Sequence, residues 1–326
     1  MENRERLLRR MADGRFHSGE ELGAELGVTR AAVWKALRGL EAYGLDVQAV
    51  PGRGYRLAEP LELLERSAIA ERLGRETGAL LGGLEIHPVI DSTNAALRRR
   101  VQELPGGYAC LAEYQEAGRG RRGRDWVSPF ARNLYLSLTW HFDGGSADLS
   151  GLSLAVAVAV LRALGRNGVA GVGVKWPNDL LWGQRKLAGV LLEVAGEANG
   201  PWRVVTGVGL NVRMPADAAT AIDQPWVDVE TVHPGVARNQ LAGDLLDALL
   251  LAHARYARDG FEPFREEWRA ADCIAGREVI LHTAADDLEG RARGVDDHGA
   301  LLLEAGGAVH RCVAGEVSLR LAERHD

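Results

Sequence analysis

The chain has 326 residues, 46% of them apolar and 26% charged, with a formal net charge of -6. This composition is globular and excludes a disordered or collagen-like chain. The acidic balance excludes a basic field over the whole surface, so any contact with nucleic acid has to be local. The longest apolar stretch, Leu149 to Leu161, is too short to span a bilayer. Met1 to Arg6 has no apolar core behind its basic residues, so no signal peptide is expected. Cys110, Cys273 and Cys312 are far apart and odd in number, which speaks against a disulfide framework or a zinc-ligand spacing and suits a reducing cytoplasm. Only Lys35, Lys175 and Lys186 of the 39 basic residues are lysine. An ammonium is a compact point charge where a guanidinium is a planar fork, so each lysine invites inspection.

Residues 1–60 read as a winged helix-turn-helix. Leu7, Leu8 and Met11 stripe a first helix that ends at Asp13-Gly14. Ser18-Gly19-Glu20-Glu21 is a capping box that opens a short second helix, stopped by Gly27. Thr29 caps a third helix with Val33, Ala36, Leu37 and Leu40 on its inner face and Arg30, Trp34, Lys35 and Arg38 outside. A strand over Asp46–Val50, then Pro51-Gly52-Arg53-Gly54, predicts a hairpin with Arg53 at its tip. The basic helix offers contacts to bases and the basic wing contacts to phosphates. A helical unit for protein contacts is the other reading. Ten basic and nine acidic residues in this segment leave little attraction from charge alone.

After a linker helix near Leu61–Gly74, residues 67–272 read as one large unit. Leu134, Leu136, Leu138, Trp140 and Phe142 alternate with polar or smaller residues, predicting a half-buried strand. Leu149 to Leu164 predicts a buried helix, and Gln240 to Tyr256 a long amphipathic one. Val172–Lys175, Ala188–Val194 and Val204–Val212 are strand candidates, with a hairpin turning at Gly183-Gln184. Hairpin-joined strands interrupted by helices predict α+β with a mixed sheet. From residue 273 short strands crowd together (Glu278–His282, Gly290–Val295, Leu301–Glu304, Val317–Leu321), which predicts a small barrel.

Four segments carry the chemistry. Gly118 to Gly123, within Gln115 to Arg124, matches GxGxxG, but Trp126, Ser128 and Pro129 follow it instead of a helix, so it is no dinucleotide fingerprint. A flexible backbone with four arginines can close over an anion, and a disordered basic loop or an RNA-binding arginine-rich stretch remain the alternatives. Asp91-Ser92-Thr93-Asn94 stands between a strand and a helix, as a polar-ligand site or an ordinary cap. Lys175-Trp176-Pro177-Asn178-Asp179 and Arg185-Lys186-Leu187-Ala188-Gly189 place two of the three lysines on either side of one hairpin.

With these motifs in this order, together with Gly52-Arg53-Gly54-Tyr55, Gly207-Val208-Gly209-Leu210-Asn211-Val212 and Gly315-Glu316-Val317-Ser318-Leu319-Arg320, the chain resembles the bifunctional biotin–protein ligases that also repress the biotin operon. The resemblance covers essentially the whole chain. It implies a winged helix-turn-helix over 1–60, a mixed-sheet α/β ligase domain over 67–272 and an SH3-like barrel over 273–326. It also implies two reactions: biotin and ATP, with Mg2+, give biotinyl-5′-adenylate, and biotin then passes to a lysine of the biotin carboxyl carrier protein of acetyl-CoA carboxylase.

By match to the family, Lys186, Arg121 and Asp179 are the catalytic candidates. Ser92, Thr93, Asn94, Gln115, Arg119, Gly120, Arg121 and Lys186 are implied to bind biotin. Lys175, Asn178, Asn211, Trp226 and Arg320 are implied to face the nucleotide, with Mg2+ near Asp179 but no metal site made of protein alone. Residues Arg213–Val227 are implied to order over the adenylate. Thr29, Arg30, Trp34, Lys35, Arg38 and Arg53 are the DNA candidates. The resemblance further implies a homodimer when adenylate is bound, resting on the loops Gly118–Arg124 and Asp143–Asp148, with operator DNA as partner and no membrane. A lipoate–protein ligase, a metabolite-sensing transcription factor without ligase activity, and a ligase with a vestigial winged helix are the rival readings.

Overall fold

The computed structural model describes residues 2–142, 149–195, 201–283, 287–313 and 318–321. The expected dimer loop at 143–148 lies outside them, as does 315–317 of the last motif. The first unit packs α1 (Glu2–Met11), α2 (Gly19–Leu26) and α3 (Arg30–Arg38) around Leu7, Met11, Leu22, Val33 and Leu37. The capping box forms: the Glu21 N–H donates to Ser18 Oγ at 3.1 Å, and the Ser18 N–H donates to the Glu21 carboxylate at 3.2 Å. β1 (Val47–Val50) and β2 (Gly54–Leu57) form the wing. Arg53 at its tip is exposed and lies over the Phe16 ring at 4.2 Å.

The unit is not an isolated bead. Leu61, Phe130 and Ala131 complete its core, and Tyr43 meets the rings of Tyr114 and Phe130 at 5.2 and 5.9 Å. The expected linker helix shortens to α4 (Arg66–Ala70), followed by α5 (Arg75–Leu80). The preceding stretch is extended because its groups are used elsewhere. Glu62 accepts the N–H groups of Arg238 and Asn239, and Glu113 accepts the Leu64 N–H at 2.6 Å. Glu113 and Arg238 form an ion pair at 2.6 Å with side chains only 6% and 4% exposed.

The large unit contains β3 (Gly83–His87), α6 (Thr93–Arg100), β4 (Tyr108–Ala112), β5 (Leu134–Phe142), α7 (Leu152–Arg166), β6 (Val172–Lys175), β7 (Asp179–Trp182), β8 (Arg185–Ala195) and β9 (Trp202–Leu210). Then follow α8 (Val229–Val232), α9 (Arg238–Asp259) and α10 (Glu262–Ala271). Seven strands join in the order β3-β4-β5-β9-β8-β7-β6. β3 and β4 are parallel and the other pairs antiparallel, which makes the sheet mixed. One face carries α7 and α9, against which Leu134, Leu136, Leu138, Val204 and Val208 pack. The other face carries α6, with Leu97 and Val101 against Cys110 and Val205.

The half-buried expectation for β5 fails here. Its polar partners Ser137 and Thr139 are fully buried, because the second face is also covered. α10 had no counterpart in the sequence reading; its Phe264 and Trp268 are fully buried.

In the last unit β10 (Glu278–His282), β11 (Asp287–Val295), β12 (Leu301–Ala305), β13 (Ala308–Cys312) and β14 (Ser318–Leu321) make an antiparallel sheet in the order β13-β12-β11-β10-β14. β13, after the Gly306-Gly307 turn, is a strand the sequence reading did not place. Among the described residues β13 and β14 stand at the two ends of this strand order, and the small antiparallel sheet is what the structure gives of the expected barrel. The turn 296–299 rests on the large unit: the Trp176 indole N–H donates to the Gly299 carbonyl at 3.1 Å.

Candidate active site

On the α6 face of the sheet a cleft opens between α6, the Gln115–Arg121 loop, and β8 and β9. Ser92, Thr93, Asn94, Gln115, Arg119, Gly120, Arg121, Asn178 and Lys186 all line it. Every residue expected to bind biotin is therefore brought together here, from a helix start, a loop and a strand distant in sequence.

The inner end is a polar frame with few loose ends. Gln115 Oε1 accepts the Thr93 N–H at 3.0 Å, and its Nε2 donates to Ser128 Oγ at 3.1 Å. The buried Ser137 hydroxyl lies 2.8 Å from Thr93 Oγ1 and donates to Asn94 Oδ1 at 2.6 Å. Asn94 Nδ2 donates to Glu193 Oε2 at 3.0 Å. Ser92 caps α6, its Oγ accepting the Ala95 N–H at 3.4 Å, so its side chain serves the helix as well as the wall. Asn94 lies over Gly207, where a Cβ would stand 2.2 Å from its Oδ1.

The cleft has an apolar flank that the sequence reading passed over. The Trp126 ring lies on Gly209, whose Cβ would stand 2.4 Å from the indole. Tyr135, Val190 and Leu191 complete that flank. A signal was available in the glycines of Gly207-Val208-Gly209, which alternate along a buried strand and so clear one face of it.

The outer end is charged. Lys186 Nζ is 2.8 Å from Asp179 and 5.5 Å from the Trp126 ring centroid. Arg121 Nη1 donates to Asn178 Oδ1 at 3.0 Å. Burial holds the Arg121 guanidinium below its ordinary value, opposed by Asp179. Burial likewise lowers Lys175, with Asp179 again opposing and Lys186 adding to the fall. Asp179 is thus the shared counter-ion of several cations. Desolvated cations of this kind bind a polyanion strongly, because little water has to be removed from them.

Other expected nucleotide residues lie outside the cleft wall. Lys175 stands opposite Asp179 in the β6–β7 register. Asn211 is 4% exposed, and its Nδ2 is shared between the carbonyls of Lys186 (3.4 Å) and Val227 (3.2 Å). It therefore ties the lysine strand to the following segment. Trp226 bridges to Lys186 through the backbone, with the Lys186 N–H on the Pro225 carbonyl at 2.9 Å. Residues Arg213–Val227 thus follow a defined path that ends beside Lys186. Arg320 pairs with Ile280 through its backbone, and its side chain lies outside the described residues.

For a cation, the Asp179 carboxylate at this charged end is held by Lys186, and Asn178 is engaged by Arg121 and by the Val190 carbonyl. Away from the cleft Glu85, His87 and Cys110 bring ligand atoms within 4.8 Å of one another. Glu85 is already bound by Arg100 and by the Tyr108 hydroxyl, and burial and then Glu85 push the Cys110 thiol upward. That cluster is closed by its own partners.

On the winged helix, Arg30, Trp34, Lys35, Arg38 and Arg53 are all exposed, and Trp34 is 49% exposed with Arg38 over its ring at 5.2 Å. Thr29 Oγ1 accepts the Ala32 N–H at 3.2 Å and so serves the cap.

Residues 86–211 match the Biotin/lipoate A/B protein ligase family, residues 3–56 an HTH domain and residues 274–320 the Biotin protein ligase C terminal domain. The chain is 42% identical to the Bifunctional ligase/repressor BirA of Escherichia coli K12, over 98% of each chain. It is 42% identical to that of Salmonella typhimurium over 97% of each, and 30% identical to that of Bacillus subtilis over 94% of this chain and 95% of that one. The biotin protein ligase of Aquifex aeolicus, solved with biotin and ATP, shares the fold with a TM-score of 0.63 at 23% identity, covering 74% of this chain and 99% of that one. With relatives this similar along nearly its whole length, and with all three units matched in order, the chain belongs to the family of bifunctional biotin–protein ligase/repressors.

Proposed function

We propose that this protein joins biotin to ATP, forming biotinyl-5′-adenylate and pyrophosphate, and passes the biotinyl group to a lysine of a biotin carboxyl carrier protein of acetyl-CoA carboxylase. The observation that carries the reading is the two-ended cleft: a fixed polar frame at one end and Lys186 with Arg121 at the other. The frame of Ser92, Thr93, Asn94 and Gln115 takes the ureido ring, and a ligand lacking its donors and acceptors leaves buried groups unpaired. The Trp126 flank covers the apolar part. Arg119 and Gly120 close over the chain of the ligand.

In the first step a biotin carboxylate oxygen attacks the α-phosphorus and pyrophosphate leaves. Two anions have to meet, so Lys186 and Arg121 stabilise charge that builds on the α-phosphate. Lys175 and Asn178 sit on the nucleotide side, with Trp226 and Asn211 framing it through the segment beside Lys186. Arg320 is assigned to the same ligand or to the carrier. Mg2+ arrives with ATP as its complex. In the second step the carrier lysine amine attacks the acyl carbonyl and AMP leaves. Once the α-phosphate draws Lys186, Asp179 is released to take the proton from that amine.

The same reading extends to regulation. Adenylate orders the loops, a homodimer forms on them, and two winged helices meet a palindromic operator of biotin-synthesis genes. Arg30, Trp34, Lys35 and Arg38 face the bases and Arg53 the phosphates. We take the units as 1–60, 67–272 and 273–326, the last curling from five antiparallel strands into an SH3-like barrel. No described helix is long and apolar enough to cross a membrane, and a cytoplasmic enzyme fits this reading.

Pyrophosphate–ATP exchange is the test. Exchange that needs biotin and ignores lipoate supports the reading; exchange with neither acid refutes it. For the repressor, operator binding should tighten with biotin plus ATP and weaken in Arg53→Ala. Equal dimerisation with and without both ligands would sink the regulatory part.

A further inference from the structure

The frame around Asn94 has a direction, and one carboxylate does most to set it. An amide side chain presents an oxygen on one side and an NH2 on the other, and it reads a ligand correctly only one way round. Hydroxyls do not settle the matter, because Ser137 and Thr93 can each donate or accept. Gln115 is settled by the Thr93 backbone N–H, which only donates. Asn94 is settled by two groups that only accept, chiefly the Glu193 carboxylate at 3.0 Å and more weakly the Leu191 carbonyl at 3.4 Å.

The sheet explains how Glu193 gets there. Ser137 of β5 and Leu191 of β8 both pair with Gly207 of β9, so the three stand side by side across the sheet. Asn94 lies across this row over the glycine. Ser137 flanks its oxygen, while the Leu191 carbonyl (3.4 Å) and Glu193 flank its nitrogen. Glu193 follows Leu191 by two, so its side chain emerges on the same face. Its other oxygen faces Arg98 Nε at 3.6 Å, which aims the carboxylate from the opposite side. Glu193 does not line the cleft itself.

We propose that Glu193 is a positioning residue for biotin: it holds the Asn94 amide in the one orientation that matches the ureido ring. The proposal rests on the assignment of this cleft to biotin. Without the carboxylate only the long Leu191 carbonyl contact opposes a flipped Asn94, and the hydroxyls follow either orientation.

Steady-state pyrophosphate–ATP exchange with the full chain separates the possibilities. Glu193→Ala should raise the KM for biotin about 10- to 100-fold, the worth of a hydrogen bond to a charged group. The KM for ATP and the melting temperature should stay near those of the wild type. Asn94→Ala should raise the biotin KM as well. In that background Glu193→Ala should add no more than about twofold, because a residue acting through Asn94 has nothing left to act on. Should the alanine variant fold poorly, Glu193→Gln keeps the size, loses the acceptor-only character and should still raise the biotin KM. Glu193 variants that fold and leave the biotin KM unchanged, or effects that multiply in the double variant, overturn the proposal. An Asn94→Ala variant with a normal biotin KM overturns the cleft assignment and the proposal together.

Discussion

Gly207→Ala tests the frame by adding a single methyl. In the structure that Cβ stands 2.2 Å from Asn94 Oδ1, 2.8 Å from its Cγ and 3.1 Å from its Nδ2. Ordinary contact requires Asn94 to retreat by roughly 1 Å. It cannot retreat and keep its partners, since Ser137 holds Oδ1 at 2.6 Å and Glu193 holds Nδ2 at 3.0 Å. Losing the neutral bond costs about 1 kcal/mol and the charged one about 1.5–3. If binding has to restore the frame, the sum, about 2.5–4 kcal/mol, corresponds to a loss of biotin affinity of roughly 70- to 1000-fold. The rest of β9 is paired on both sides, so the fold survives. Biotin titration by calorimetry, with a thermal melt beside it, is the assay. A folded Gly207→Ala that binds biotin within about threefold of the wild type would refute the reasoning.

Three further outcomes are expected. Lys186→Ala removes the charge at the attacked phosphate and should lower the exchange rate by at least about 10²-fold, with biotin binding less affected than turnover. Arg238→Met leaves Glu113 as a buried unpaired carboxylate and loosens the Glu62–Leu64 stretch; denaturant unfolding should show a loss of about 3–5 kcal/mol. His253 is fully buried, and burial pushes it down to about 4 from 6.5, with Nδ1 on the Leu249 carbonyl and Nε2 against Thr206. The unfolded chain therefore binds the proton more readily between about pH 6.5 and 4. The stability this residue contributes is complete above that window and is lost as pH falls through it, by up to about 3 kcal/mol. A His253→Gln variant should show a flatter melting temperature across the window, and an unchanged slope would sink the assignment.

The division between chain order and three dimensions follows from the range of the forces. Capping, turn chemistry and hydrophobic period act over a few residues. So the Ser18 box, the Thr29 cap, the wing with Arg53 and the Gly183-Gln184 hairpin were all legible from local spacing. The family motifs brought the right cleft residues into view, although their spacing alone did not say that they meet. Packing decided the rest. β5 alternates as a half-exposed strand should, yet α6 covers its second face and turns Ser137 from a surface hydroxyl into part of the ligand frame. Asp179 reads as a catalytic candidate in sequence and becomes the counter-ion of Lys186 only when β7 and β8 pair. Asn211 reads as a ligand contact and is spent on two backbone carbonyls, because the 225–227 segment returns beside Lys186. Local sequence determined which elements form and which chemical groups they carry. The tertiary structure alone decided which of those groups face each other, because burial and pairing across the sheet join residues far apart in the chain.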